Sequence, residues 1–325
     1  MHANQIANSE VLQPKVSVVM PSYNNSAYIR SAIDSVLQQD YSNIELIVVD
    51  DGSSDDSVAI LQSYGDQIRL ICQPNAGPAA ARNHGLRYVT GDFVAFHDSD
   101  DLWLPGKLSA QVAFLQQHPQ YAACYSSWQV WDGGTVPEYT EQETGTPSGV
   151  AIDETGSGWL YLPLLKVSLL HTITVLIRRN VVNEVGFFSE EFRIGEDHHY
   201  WLRLARCGQI AKLAPIFALY RQNPTSTTNK VHLRNYSLEV LQAVIQTYGT
   251  YCPSGLSINK ETINYYLGER HFTYAYQCFW SGRQDLAAPA FYQSFLLRFL
   301  PGRSWLYWLL SNNKYLYRIF RAVKS

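Results

Sequence analysis

Three carboxylates, Asp98, Asp100 and Asp101, stand within four positions in the stretch FVAFHDSDDLW, directly after an apolar run. Crowded acids repel one another and resist desolvation, so such a cluster needs water, a cation or a cationic partner. Two carboxylates at i and i+2 leaving a strand can face one cavity and hold a hard divalent cation through oxygen. Mg2+ or Mn2+ shared with a diphosphate is the usual arrangement. A helix cap would use the same residue types, and DLWLPGKL does open a helix. Capping suits one aspartate; three, beside other acidic loops, favour a metal and phosphate role.

Other polar motifs carry related chemistry. In VVDDGSSDD, Asp50 or Asp51 can accept hydrogen bonds from a base or ribose, Gly52 permits a tight turn, and Asp55 and Asp56 suit a helix cap. NAGPAAARNHGL can set Asn75, the Gly77 backbone and Arg82 near an anion at a helix N-terminus. It also reads as a plain helix start with Pro78 in the first turn and Arg82 in a structural ion pair. In GED (195–197) the carboxylates serve equally as a cap favoured by the helix dipole or as a general base toward an attacking hydroxyl. His198 and His199 lack any metal-ligand spacing and read as surface or packing residues. No G-x-G-x-x-G follows the first strand, and neither a P-loop nor a G-x-S-x-G elbow is present.

The elements that must position these motifs alternate between two periods. VSVVM (16–20), IELIVVD (44–50), IRLIC (68–72) and FVAFHD (93–98) read as strands, each followed by a helix: 26–39, a short one after DGSSDD, 77–89 and 105–118. Continuous apolar strands alternating with helices indicate a parallel sheet covered on both faces. Ligands of such sheets bind beyond the carboxyl ends of the strands, where PSYNN, VDDGSSDD and HDSDD should meet. Beyond residue 130 a loop-like stretch leads to an expected strand at 171–179, a helix at 195–208 and a strand in IAKLAPIFALYR. From 231 onward the pattern is helical, with breaks at Pro253, Gly282 and Pro301.

The 325 residues are 46% hydrophobic and 16% charged, as in a globular protein with a sizeable core. A net charge of −3 gives no footprint for nucleic acid. Five scattered cysteines without C-x-x-C spacing argue for a reducing compartment and against a disulfide framework or a zinc site. The N-terminus lacks the regions of a signal peptide, and no window offers eighteen consecutive apolar residues, so a cytoplasmic protein is expected. The segment 281–325 departs from the average: seven basic residues against one acid, a net of +6, leaving −9 on the rest of the chain. Its Arg298, Arg303, Arg318 and Arg321, interleaved with aromatics, suit either a membrane-surface element, peripheral at the inner face of the plasma membrane, or a helical appendage packing on the protein.

VSVVMPSYNNSAYIRSAIDSVLQQDYSNIELIVVDDGSSDDS, NAGPAAARNHGL, GDFVAFHDSDDLWLPGKL and GEDHHYWLRLA, in that order, resemble glycosyltransferase family two over about residues 14–222. The resemblance implies a GT-A type α/β fold, with a mixed, mainly parallel sheet flanked by helices. It implies a nucleotide-sugar donor and Mn2+ or Mg2+. Nucleotide-sugar contacts would come from Pro21, Tyr23, Asn24, Asp50, Asp51, Gly77, Arg82, Asp98 and Ser99. Asp98 and Asp100 look like the family's D-x-D element, with Asp100 the better metal ligand. Asp197, beside Glu196, resembles its catalytic base. The implied reaction is transfer of one hexose to an acceptor hydroxyl with inversion, on a glycan or lipid-linked acceptor in cell-surface glycan assembly. A catalytically silent nucleotide-sugar-binding or scaffold protein on the same fold is the alternative, and a nucleotidyltransferase would need a basic, glycine-rich loop that is absent.

Two positions depart from the family pattern: His97 stands where many relatives have Leu, and Asn223 where relatives often have His. No Q-x-x-R-W motif occurs, which favours single-sugar transfer over polymerisation. The expected division is a flexible 1–14, a catalytic domain at 15–230 and a helical extension at 231–325.

Overall fold

The computed structural model describes residues 13–137, 150–222 and 231–324. Most of the expected flexible N-terminus and Asn223 lie outside the described residues. The first half runs β1 (Val16–Ser22), α1 (Ile29–Leu37), β2 (Ile44–Asp50), α2 (Ser57–Gln62), β3 (Arg69–Cys72), α3 (Pro78–Leu86) and β4 (Phe93–Phe96). Val16, Val18, Val19 and Met20 are fully buried, as strands covered on both faces require. β1 pairs in parallel with β2, from Val16 opposite Ile44 to Ser22 opposite Asp50, and with β4 on its other side; β3 extends β2.

The second half contributes β5 (Leu102–Trp103), α4 (Lys107–Gln117), β6 (Tyr121–Trp131), α5 (Tyr161–Lys166), β7 (Val175–Arg178), α6 (Arg179–Val185), α7 (Glu196–Cys207) and β8 (Gln209–Arg221). The eight strands lie in the order β3-β2-β1-β4-β7-β6-β8-β5. β7 runs antiparallel to β4 and β6, whereas β8 is parallel to β6 and antiparallel to β5. The sheet is therefore mixed and mostly parallel. The expected strand at 171–179 is shorter than its apolar pattern implied. The Thr174 N–H (2.9 Å) and hydroxyl (2.7 Å) both donate to the His171 carbonyl and close a 3-10 turn at its start. At its other end Arg179 already opens α6. Because β7 is antiparallel to β4, that turn lies beside the carboxyl end of β4, where the acidic cluster begins.

Helices cover both faces. On one, α1 and α4 pack Ile29, Ile33, Leu108 and Leu115 over the strands; on the other, α7 and α3 enclose an aromatic cluster. In it Phe188 stacks on Tyr200 at 4.0 Å and Phe96 meets Phe188 edge-on at 5.1 Å. All five cysteines are free thiols.

Beyond residue 231 come α8 (Tyr236–Tyr248), α9 (Lys260–Trp280), α10 (Gln284–Leu296), α11 (Pro301–Asn312) and α12 (Lys314–Lys324). The breaks fall where Pro253, Gly282 and Pro301 predict them. Val240, Leu241 and Val244 of α8, with Ile263 of α9, join the main core, so packing continues without a gap past residue 231. Ala275, Phe279, Phe291 and Tyr307 begin a separate aromatic core that Tyr317 and Phe320 of α12 complete. Between α10 and α11 the chain doubles back to insert Phe299. Its ring meets Tyr265 at 4.9 Å, and its carbonyl accepts from the Ser304 hydroxyl at 2.7 Å. The flanking Arg298 (φ 60°) and Leu300 (φ 41°) are forced into the left-handed region, at about 1–3 kcal/mol each.

Candidate active site

The carboxyl ends of β1, β2 and β4 meet as the topology requires. The Asn25 amide donates to the Ser99 hydroxyl, and the Asn24 side chain accepts the Ser54 N–H at 2.8 Å. Pro21, Tyr23 and Asn24 lie on this rim, and Tyr23 is half exposed. Asp50 and Asp51 take different parts. Asp51 Oδ1 accepts from Gln73 (2.7 Å) and the Ala76 N–H (2.9 Å), and its Oδ2 accepts the Gly77 N–H at 2.8 Å. Both its oxygens thus clamp the 73–77 turn. Gly52 fits under that turn because a Cβ on it would lie 2.9 Å from the Asn75 nitrogen. Asp50 Oδ2 accepts from Gly52 and Ser53, but its buried Oδ1 has no partner; neither does the hydroxyl of Ser22, its neighbour in register. Buried polar atoms are normally paired, so these two have capacity for a ligand.

Arg82 joins two motifs that lie far apart in the chain. Its Nη1 binds Glu196 Oε1 and its Nη2 binds Asp98 Oδ1, both at 2.7 Å. The guanidinium also lies over the Phe188 ring at 5.6 Å. The two partners respond oppositely to burial. Arg82 is held charged against its desolvation by Asp98 and Glu196, whereas burial pushes the Glu196 carboxyl up to about 7, outweighing the pull of Arg82. The ion pair left open by the sequence is therefore present, and it ties the acidic loop to the start of α7.

The acidic loop is pinned from its other side by Arg221, the last residue of β8. Its N–H donates to Asp101 Oδ1 and its Nε to the Asp100 carbonyl, both at 2.7 Å. Its guanidinium is sandwiched between Tyr28 and Trp131 at 4.6 and 4.2 Å. Even so, negative charge is left over. Burial pushes Asp100 up to about 6, with the Asp98 charge adding to it. Burial, then Asp100 and Asp98, raises Asp101, whose Oδ2 is buried without a partner. Among the described residues no three His, Cys, Asp or Glu side chains converge as a complete ligand set. A cation at Asp98 and Asp100 would therefore share its coordination with oxygens of a diphosphate and with water, and the uncompensated charge fits that requirement.

His97 faces away from this cluster. It is fully buried, stacks on Trp103 at 4.7 Å, and sits 3.3 Å from the Ser35 hydroxyl. Lys107 covers the other side of the stack at 4.0 Å from the Trp103 ring and donates to Gln111. The imidazole at this position packs behind the loop.

α7 begins at Gly195, whose left-handed conformation (φ 81°) turns the chain into the helix. Asp197 is half-buried in its first turn and accepts the His198 N–H at 2.6 Å. His198 bonds the Leu164 carbonyl at 2.8 Å and His199 packs on Phe192, so both are packing residues. Three residues that sequence reasoning missed lie on the β7-β6-β8 side. His171 contacts Trp128 at 3.8 Å and Tyr220 at 5.6 Å between ring centroids. Burial lowers the His171 imidazole, although the charges of Asp197 and Asp98 both pull it the other way. Trp128 and Tyr220 come from β6 and β8 and His171 from the turn before β7, so the three share no spacing, and Arg221 was equally hidden as an ordinary strand residue.

A cleft of about 290 Å³ opens between the Asn75–Ala79 turn and Glu190, Phe192 and Arg193. A larger one, about 450 Å³, lies at the opposite edge of the sheet against Lys15, Asp92 and Arg178, and holds none of the motif residues. The smaller cleft is the one at the ligand-binding edge.

Residues 17–185 match the profile of glycosyl transferase family 2. The chain belongs to that family. Measured against four rickettsial relatives of 31–34% identity, this family 2 chain spans from 28% to 67% of their length. It is 32% identical over 201 residues to UDP-Glc:alpha-D-GlcNAc-diphosphoundecaprenol beta-1,3-glucosyltransferase WfgD of Escherichia coli, covering 61% of this chain and 72% of that one. Among solved structures it is similar to S. aureus TarS 1–349 in complex with UDP-GlcNAc, with a TM-score of 0.61, 21% identity and coverage of 87% and 81%. It is likewise similar to the mannosyltransferase PcManGT of Pyrobaculum calidifontis in complex with GDP-Man and Mn2+, with a TM-score of 0.58, 18% identity and coverage of 95% and 84%. These likenesses fix the GT-A-like fold of the family 2 chain.

Proposed function

We propose that the chain transfers one sugar from a nucleotide-diphosphate donor to an acceptor hydroxyl with inversion at the anomeric carbon. The observation that carries this reading is the Arg82 fork, which binds the D-x-D loop through Asp98 and the Glu196–Asp197 pair through Glu196. Leaving-group chemistry and proton removal then share one rigid wall. Asp50, with its free oxygen, and Ser22 offer the nucleoside its polar contacts; Asp51 builds the turn instead. A divalent cation held by Asp100 and Asp98 would supply positive charge to the departing diphosphate. Asp197 takes the proton of the acceptor hydroxyl as the oxygen bonds to the anomeric carbon and the bond to phosphate breaks. Glu196, engaged by Arg82, positions Asp197.

The Trp128, His171 and Tyr220 rings stand beyond the acidic loop from the nucleoside edge, where an acceptor sugar could lie against them. The UDP-GlcNAc bound to TarS, the GDP-Man bound to PcManGT and the name of WfgD support a hexosyl donor, and the name of WfgD supports a lipid-diphosphate-linked acceptor.

The test is a thermal-shift panel of UDP, GDP, CDP and dTDP, with and without Mn2+, on the intact chain, Asp100→Asn and Asp197→Asn. One nucleotide should stabilise the intact chain in a metal-dependent way, and Asp100→Asn should lose that response. Asp197→Asn should keep it while losing about 10²–10⁴-fold in donor turnover. Full turnover by Asp197→Asn would reject the base assignment. No response to any nucleotide from a folded chain would favour the silent scaffold.

A further inference from the structure

The helical segment at the C-terminus has more apolar surface than its own core uses. In α12, Tyr317 and Phe320 enter the aromatic core, and the Tyr317 hydroxyl donates to the Phe279 carbonyl. Tyr315, Leu316 and Ile319 point elsewhere and are 73, 44 and 47% exposed. Helical spacing sets Tyr315 and Ile319 on the side opposite Tyr317, with Arg318 on one flank and Leu316 on the other. α11 repeats the arrangement, burying Tyr307 and Leu310 while Trp305 and Leu306 face solvent. At the corner between α10 and α11, insertion of Phe299 leaves Leu296 and Leu300 turned outward beside Arg298. An appendage that only had to pack on its own protein would need just the first face of each helix.

The charge of this surface says what covers the second face. From Leu286 to Ser325 there are six basic residues and no acid. Arg298, Arg303, Lys314, Arg318 and Arg321 are all exposed. A second copy of the chain meeting this face across a two-fold axis would bring like charges together. Exposed Trp, Tyr, Leu and Ile bordered by Arg and Lys is the composition that enters the headgroup boundary of an anionic bilayer. No described helix is long and apolar enough to cross a membrane. α11, with 12 residues, is about 18 Å long against a hydrocarbon core of about 30 Å.

We propose that α11, α12 and the 296–300 corner form a peripheral docking surface for an anionic lipid bilayer, lying on the membrane rather than spanning it. The proposal rests on the transferase reading for its purpose, access to a membrane-borne acceptor, but its observations are independent of the catalytic site.

The test is co-sedimentation of the full chain with vesicles of phosphatidylglycerol and phosphatidylethanolamine, and with vesicles of phosphatidylcholine alone. Binding should favour the anionic vesicles and weaken between about 0.05 M and about 0.5 M salt as screening shortens the reach of the charges. The double variant Leu316→Asp/Ile319→Asp should sediment at least about tenfold less, with an unchanged melting temperature because Tyr317 and Phe320 stay in place. Failure to bind anionic vesicles, or equal binding by the variant, would overturn the proposal. So would a wild-type dimer that the variant converts to a monomer, which would assign the face to a second copy. Nucleotide-dependent thermal stabilisation, read on the same samples without vesicles, reports the donor site separately, so loss of one reading leaves the other standing.

Discussion

Arg82→Met removes the strut between the acidic loop and α7, and its cost follows from the geometry. The guanidinium side chain is 6% exposed, Glu196 9% and Asp98 29%, so the Glu196 arm is the desolvated one and water can compensate Asp98. Two unit charges about 4 Å apart at an effective dielectric near 20 attract by about 4 kcal/mol, and breaking a buried pair from one side typically costs about 3–5 kcal/mol. With about 2.1 cal/mol/K of unfolding entropy per residue, each kcal/mol moves the midpoint of a chain this long by about 1.5 °C, so a drop approaching about 5–8 °C is expected at the alkaline end, where Glu196 of the intact chain is ionised. The loss should depend on pH. Glu196 titrates at about 7 in the fold against an ordinary value of 4.5, so the folded chain binds more protons between those values and loses stability as pH rises through that window. Without Arg82 the carboxyl keeps its proton to higher pH, and the decline continues above 7. Melting curves of both proteins from about pH 6 to about pH 8.5 should therefore diverge as pH rises. A shift below about 2 °C at about pH 8.5, or a gap that stays constant with pH, would refute the strut.

His97→Leu tests whether the imidazole only packs behind the acidic loop. Its buried Nδ1 has no partner, an arrangement that costs about 1–3 kcal/mol, so the variant should match or exceed the wild type in urea unfolding. The metal dependence of nucleotide stabilisation should stay unchanged, and its loss would put the ring in the site. Gly268→Ala tests the helical core: the new Cβ would lie 2.6 Å from the Phe299 Cβ. Overpacking of about 1–3 kcal/mol should exceed the gain of about 1 kcal/mol in helix propensity. Limited proteolysis should then cut the segment after residue 280 earlier than in the wild type, while nucleotide stabilisation persists.

The strands of the first half were legible because each is a mainly apolar run bounded by turn residues; IELIVVD coincides with β2 to the residue. Their convergence followed from topology alone. β6 was not legible, since YAACYSSWQVW is buried through its first half and exposed near its end, which gives no single period. The site was legible where one motif holds all its partners. Asp50 and Asp51 look alike in sequence, and only the turn 22–26 residues further on separates a clamp from a ligand candidate. Arg82 and Glu196 are 114 residues apart, and Asp101 and Arg221 are 120 apart; no local pattern encodes such contacts. The aromatic trio is of the same kind, assembled by strand order from residues that carry no signal singly.

The Asp51 clamp has a consequence for how such a chain can change over generations. Two of its three bonds go to main-chain N–H groups, at Ala76 and Gly77, which nearly any residue supplies. Position 77 is restricted by its backbone (φ 93°), but position 76 carries no comparable demand on its side chain. Position 76, beside the smaller cleft, can therefore exchange its side chain while the path of the turn stays fixed. Drift at that point would alter what the cleft admits without disturbing the scaffold that holds it, so new donor or acceptor preferences could arise there by single substitutions.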